Sequence, residues 1–147
     1  MDEKSQIRNY ALVKFAFLER ELNMSKPIIK NRPWNTDIYY LASNIGLQIE
    51  LDWRDLDVFI LVVRLDNGSI PGGYYVLNGK TVRVHIEKIL KEKWGFSNDS
   101  FRKIVGKKGD HNNYSKEAME KKLSEYCSLL GQHAKKIIND DVFAVKL

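Results

Sequence analysis

Residues 46–65 read GLQIELDWRDLDVFILVVRL. In the first part, Leu47, Ile49 and Leu51 alternate with Gln48, Glu50 and Asp52. A period of two sends successive side chains to opposite faces, so residues 46–52 predict a half-buried strand. Residues 52–57 supply a turn. Residues 58–65, VFILVVRL, are the most hydrophobic segment and predict a central strand covered on much of both faces. Two strands joined by so short a turn form a hairpin.

Working outward, residues 37–42 (DIYYLA) are aromatic and β-rich. Residues 66–73 (DNGSIPGG) form a loop. Residues 74–77 and 81–85 then flank Asn78-Gly79, a pair that favours a type I′ turn because both central residues take positive φ. Helical spacing appears on either side of this β-rich run. In residues 4–23, Ile7, Ala11, Leu18 and Leu22 share a stripe widened by Tyr10, Phe15 and Phe17. Pro27 and Pro33 mark an extended connection from there to the strands. Residues 86–94 predict a short helix with Ile86, Ile89 and Leu90 inward, stopped near Gly95. Asp99 or Ser100 can cap a second short helix over 101–105. Ser115 is an N-cap for a long helix in which Met119, Leu123, Tyr126, Leu130, Ala134 and Ile137 recur every three or four residues. Residues 141–147 predict a terminal strand or a docked tail.

Strands grouped together, rather than alternating with helices, give an α+β fold and not a doubly wound sheet. The expectation is an N-terminal helix, a four- to five-stranded mostly antiparallel sheet, and C-terminal helices packed on one face, in a single domain spanning 1–147. A chain of 147 residues with 44% hydrophobic and 29% charged residues can bury a core without disulfides or metals. Cys127 is the single cysteine, so no internal disulfide forms, which fits a reducing compartment. No apolar run approaches the ~18–20 residues of a membrane span, and the N-terminal apolar stretch is broken by Lys14. A cytoplasmic protein with no membrane partner is expected.

The formal charge of +5 is uneven. Residues 1–70 carry a net −1 and residues 71–147 a net +6, all of it within 80–108. Such a basic stretch can attract phosphates or simply keep a domain soluble. Within it, Gly106-Lys107-Lys108-Gly109 matches the GXXG loop with which KH domains clamp about four nucleotides. Residues 110–113 (DHNN) depart from that pattern, because a KH loop runs straight into its next helix. A plain loop, with Gly106 closing a helix in the left-handed conformation, also fits. Arg102, Lys103, Gly106, Lys107, Lys108 and Gly109 are therefore the residues of an alternative, nucleic-acid-binding function.

Glu50, Asp52, Asp55 and Asp57 form an acidic cluster across the 46–65 hairpin, with Trp53 among them. The cluster reads as a solvated strand face and turn, as a surface for a basic partner protein, or as carboxylates for a divalent cation, and Trp53 within it either anchors an interface or folds back over the sheet edge. The three histidines have no metal-ligand spacing, and Cys127 and His133 fall on opposing sides of a helix. Neither a catalytic triad nor a nucleotide fingerprint is present, so no cofactor and no metal are expected.

The segments FAFLERELNM, IYYLASNIGLQIELDWRDLDVFILVVRL and NGSIPGGYYVLNG, between residues 15 and 90, resemble in layout small bacterial proteins of the toxin-immunity type. The resemblance implies a non-catalytic protein-binding domain, an immunity-like inhibitor of a bacterial toxin. The toxin would be met through Glu50, Asp52, Trp53, Asp55 and Asp57.

Overall fold

The computed structural model of the protein describes residues 2–96, 115–140 and 142–143. Helices α1 (Glu3–Lys14) and α2 (Phe17–Arg20) precede strands β1 (Ile28–Asn31), β2 (Asn35–Leu41), β3 (Ile45–Asp52) and β4 (Asp57–Arg64). The short strands β5 (Val76–Leu77), β6 (Lys80–Thr81) and β7 (Arg83–His85) follow, then α3 (Ile86–Trp94) and α4 (Lys116–Asn139). Five strands form one antiparallel sheet in the order β1-β2-β3-β4-β7. The fold is α+β, as the grouping of strands implied.

The alternation in β3 decides how the sheet is set. Ile49 lies opposite Ile38 and Ile60, Leu47 opposite Tyr40 and Val62, and Leu51 opposite Val58. These side chains are fully or nearly fully buried against Ile7 and Ala11 of α1, Ile89 and Leu90 of α3, and Met119, Leu123 and Tyr126 of α4. Burying a single Leu or Ile contributes roughly 1.5–3 kcal/mol, so a one-residue slip that turned Leu47, Ile49 and Leu51 outward would forfeit several kcal/mol. The register is fixed by that penalty.

Several local expectations stand. Asn78 and Gly79 have φ of 53° and 78°, the two positive values a type I′ turn needs. Gly95 closes α3 at φ 68°. The Ser115 hydroxyl accepts from the Ala118 N–H at 3.1 Å and starts α4. Three differ. The helix expected over 4–23 breaks after Lys14, and its freed carbonyl accepts from the Cys127 thiol of α4 at 3.1 Å. The connection between Pro27 and Pro33 contains β1, an edge strand exposed at all four positions and therefore without any burial alternation to read. The Asn78-Gly79 hairpin is a separate two-stranded sheet, after which the chain continues through Val82 into β7 of the main sheet. The helix expected over 101–105 lies outside the described residues, as does most of the 141–147 tail. Of that tail, Val142 is buried and the Phe143 carbonyl accepts from Arg64 at 2.9 Å.

Candidate functional site

The sheet's second face is the one turned away from the helices. Strand parity brings Tyr39 of β2, Gln48 and Glu50 of β3, Phe59 and Leu61 of β4, and Arg83 and His85 of β7 onto it. The loop between β4 and β5 folds back across this face. What holds it there is Arg83, which is only 4% exposed. Its Nε donates to Gln48 Oε1 at 2.8 Å. One terminal nitrogen donates to the carbonyls of Gly73 and Tyr74 at 3.2 and 3.0 Å. The other donates to the Tyr39 hydroxyl and the Pro71 carbonyl at 3.2 and 3.3 Å. The guanidinium also lies 5.5 Å from the centre of the Tyr74 ring. Its rigid fork of five N–H donors suits a loop that offers carbonyls from several directions; lysine has three donors and no fork.

The pinned loop carries two adjacent tyrosines outward. Tyr74 is 37% exposed, Tyr75 45% and Val76 57%. The two rings meet edge to face with centroids 4.5 Å apart. The Tyr74 hydroxyl donates to Glu50 Oε1 at 2.6 Å, and the Tyr75 hydroxyl lies 2.8 Å from His85 Nε2. His85 in turn meets the Phe59 ring edge-on at 5.7 Å. Both hydroxyls are thus tied to the sheet while parts of both rings remain open to solvent.

Burial governs the charges beneath. It raises the Glu50 carboxyl above its ordinary range, with the facing carboxylate of Asp37 adding to the rise and the Tyr74 hydroxyl opposing it. Asp37 sits directly opposite Glu50 on β2. It too is raised, chiefly by burial, against the pull of Asn35, Gln48 and Arg32. Burial also raises Tyr74 and lowers His85, which favours the neutral imidazole. Gln48 is fully buried, with its Oε1 accepting from Arg83.

The residues singled out in the hairpin do not gather into one acidic surface. Glu50 belongs to the tyrosine face just described. Asp52 Oδ1 accepts from the backbone N–H groups of Arg54 and Asp55 at 2.9 and 3.1 Å, and so shapes its own turn. Asp57 bonds the Val58 N–H at 2.8 Å and forms an ion pair with Lys122 of α4. Trp53 folds back: its indole N–H donates to Thr36 at 3.0 Å and its ring packs on the core, with Lys4 over it. Asp55 alone of the five is exposed. The more exposed tryptophan of this end is Trp34, 64% exposed beneath the Arg54 guanidinium. Arg102, Lys103, Gly106, Lys107, Lys108 and Gly109 lie outside the described residues.

Sequence reasoning placed Tyr74 and Tyr75 in a strand and Arg83 in the basic stretch, and gave none of the three a part in a site. One signal for the tyrosines was present, since adjacent residues in an extended segment point to opposite sides and two bulky rings after Gly72-Gly73 cannot both be core. Arg83 had a weaker one: between Val82 and Val84 its parity sends it to the second face, but nothing in the sequence said that a loop would cover it. No protein family, curated protein or solved structure matches the chain.

Proposed function

We propose that the protein is a non-catalytic binding domain that holds a partner protein against the Tyr74–Tyr75 face of the sheet. The observation that carries this is the Arg83 clamp. Burying an arginine costs several kcal/mol of hydration unless it is well bonded, and here that bonding serves to hold one loop whose outward groups are Tyr74, Tyr75 and Val76. Rigid tyrosines lose little conformational entropy on binding and are favoured as interface anchors. Glu50 and His85, set behind the rings, give the patch a polar rim. A toxin held by an immunity-type inhibitor is a partner of this kind.

The test begins with affinity purification from the source cells and identification of a stoichiometric partner. Its affinity is then measured for the wild type, for Tyr74→Ala/Tyr75→Ala, and for the hairpin variants Trp53→Ala and Asp55→Lys. The double tyrosine variant should bind at least ~100-fold more weakly, in keeping with truncation of two anchor residues, while its thermal melt stays close to wild type. Unchanged affinity would overturn the assignment of this face. A loss confined to the hairpin variants would return the contact to the β3–β4 turn.

A further inference from the structure

At the β1 border of the sheet, hydrogen-bond parity decides which backbone groups are on offer. The turn after β1 is closed by the Arg32 N–H, which donates to the Asn35 carbonyl at 2.8 Å. Antiparallel pairs alternate between bonded and non-bonded positions. Counting back from Arg32, Lys30 and Ile28 face Asp37 and Tyr39 as bonded pairs, while Asn31 and Ile29 face Thr36 and Ile38 as non-bonded pairs. The N–H and C=O groups of Ile29 and Asn31 therefore point away from β2, to a side where no described residue continues the sheet. Pro27, next on that side, and Pro33, in the turn, have no N–H to give. The open edge is a window two donors wide, enough to align one short strand.

The side chains around this window carry one sign. Residues 24–34 include Lys26, Lys30 and Arg32 and no acidic residue. Arg32 is engaged by Asp37 at 3.7 Å. Lys30 also lies opposite Asp37, but its ammonium is set over the Tyr39 ring, 5.8 Å from the centre. Lys26 is exposed. Alternation puts Lys26, Ile28 and Lys30 on one face of the strand and leaves Ile29 exposed on the other.

We propose that β1 binds an extended acidic segment of a partner protein, which joins the five-stranded sheet as a further edge strand. Ile29 and Asn31 supply the ladder, apolar residues of the segment cover Ile28 and Ile29, and its carboxylates meet Lys26 and Lys30. In strand addition the main-chain bonds give affinity and the alternate side chains give specificity. Opposite charges directly across a strand pair add to both. The chain's own remaining segments have the wrong sign for this role. Residues 97–114 hold four Lys/Arg against Asp99 and Asp110, and residues 144–147 hold Lys146 and no acid. The proposal does not rest on the tyrosine face, which is set by β7 at the other end of the sheet.

The probe is a labelled, end-blocked heptapeptide, Thr-Glu-Val-Val-Thr-Glu-Thr. In antiparallel register it sets its glutamates opposite Lys30 and Lys26 and its valines opposite Ile29 and Ile28. Fluorescence anisotropy at low salt should show saturable binding. Ile29→Pro removes one outward donor at an edge position where proline is tolerated, and should weaken binding at least ~5-fold. Lys26→Glu/Lys30→Glu should weaken it at least ~3-fold. Unchanged melting confirms that both variants are folded, and Tyr74→Ala/Tyr75→Ala should bind the peptide as the wild type does. Two peptides N-methylated on alternate residues leave the protein untouched: the set whose N–H groups face β1 should lose binding, and the other set should keep it. Amide exchange at Ile29 and Asn31 should be fast in the free protein and slowed by the peptide. Absence of saturable binding, equal behaviour of the two methylated sets, or equal binding of a peptide with lysine for both glutamates would overturn the proposal. Slow exchange at Ile29 and Asn31 in the free protein would overturn it as well, by showing the edge already covered by this chain or a second copy.

Discussion

Replacing Arg83 by methionine keeps a long unbranched stem and removes every donor. The three loop carbonyls it bonds, at Pro71, Gly73 and Tyr74, can turn to water if the loop lifts. The Gln48 Oε1 and Tyr39 hydroxyl groups cannot do so as easily, since Gln48 is wholly buried and Tyr39 nearly so. A buried polar group left without its partner costs about 1–3 kcal/mol. Two of them give roughly 2–6 kcal/mol, offset in part because a charged group no longer has to be desolvated. The expected loss is therefore about 2–4 kcal/mol, a large share of the ~5–15 kcal/mol typical of a domain. Urea unfolding followed by tryptophan fluorescence measures that loss. Amide hydrogen exchange locates it: protection should fall most at residues whose N–H groups depend on the pinned loop, such as Val82, which donates to the Tyr75 carbonyl. A variant within 1 kcal/mol of wild type, with loop protection unchanged, would mean that Arg83 does not hold the loop. Arg83→Lys should recover only part of the stability, because an ammonium lacks the fork.

Glu50→Gln tests the buried carboxyl. Its folded pKa is raised, so the folded state holds the proton more tightly than the unfolded one. Its contribution is thus fully present below the ordinary carboxyl value of 4.5 and lost as pH rises above it through the raised value; relative to Glu50→Gln, the wild type should lose stability over that rise, and a constant difference would argue against a raised pKa. His85 has the opposite sign: burial lowers it, so stability should fall as pH drops below about 6.5, and His85→Gln should flatten that part of the stability profile. Lys122→Met leaves Asp57 without its ion-pair partner, and because the pair is only partly buried the cost should be about 1–3 kcal/mol, with part recovered in Lys122→Met/Asp57→Asn; full additivity of the two variants would show that the ion pair is not coupled. Gly95→Ala meets no neighbouring atom, so its expected cost of about 1 kcal/mol comes from the left-handed backbone alone; a neutral result would mean that α3 ends differently in solution.

The central sheet was legible because Leu47, Ile49 and Leu51 carry both the strand period and the face that the helices cover. The α4 stripe and its Ser115 cap were legible for the same reason at a different period. β1 was not, because an exposed edge strand has no buried face to impress on its sequence. The candidate site was less legible still. The acidic residues at 50–57 look alike in sequence, yet one caps its turn, one pairs with a helix lysine and one bonds a tyrosine 24 residues away. Those partners come from β-sheet register and loop folding, and local spacing carries neither.

β1 has a further consequence. Its outer side is the end of the sheet, and Ile28 and Ile29 stand exposed on it. Unpaired edges of this kind are templates for joining one chain to another. Here Lys26, Lys30 and Arg32 are spread along the strand and its flanks, and Pro27 and Pro33 shorten it at both ends. A second copy aligned edge to edge would bring Lys26 and Lys30 near their own copies, a repulsion that works against pairing of this border with itself and suits an acidic strand better. That self-avoidance is electrostatic, and it weakens as salt shortens the reach of charge.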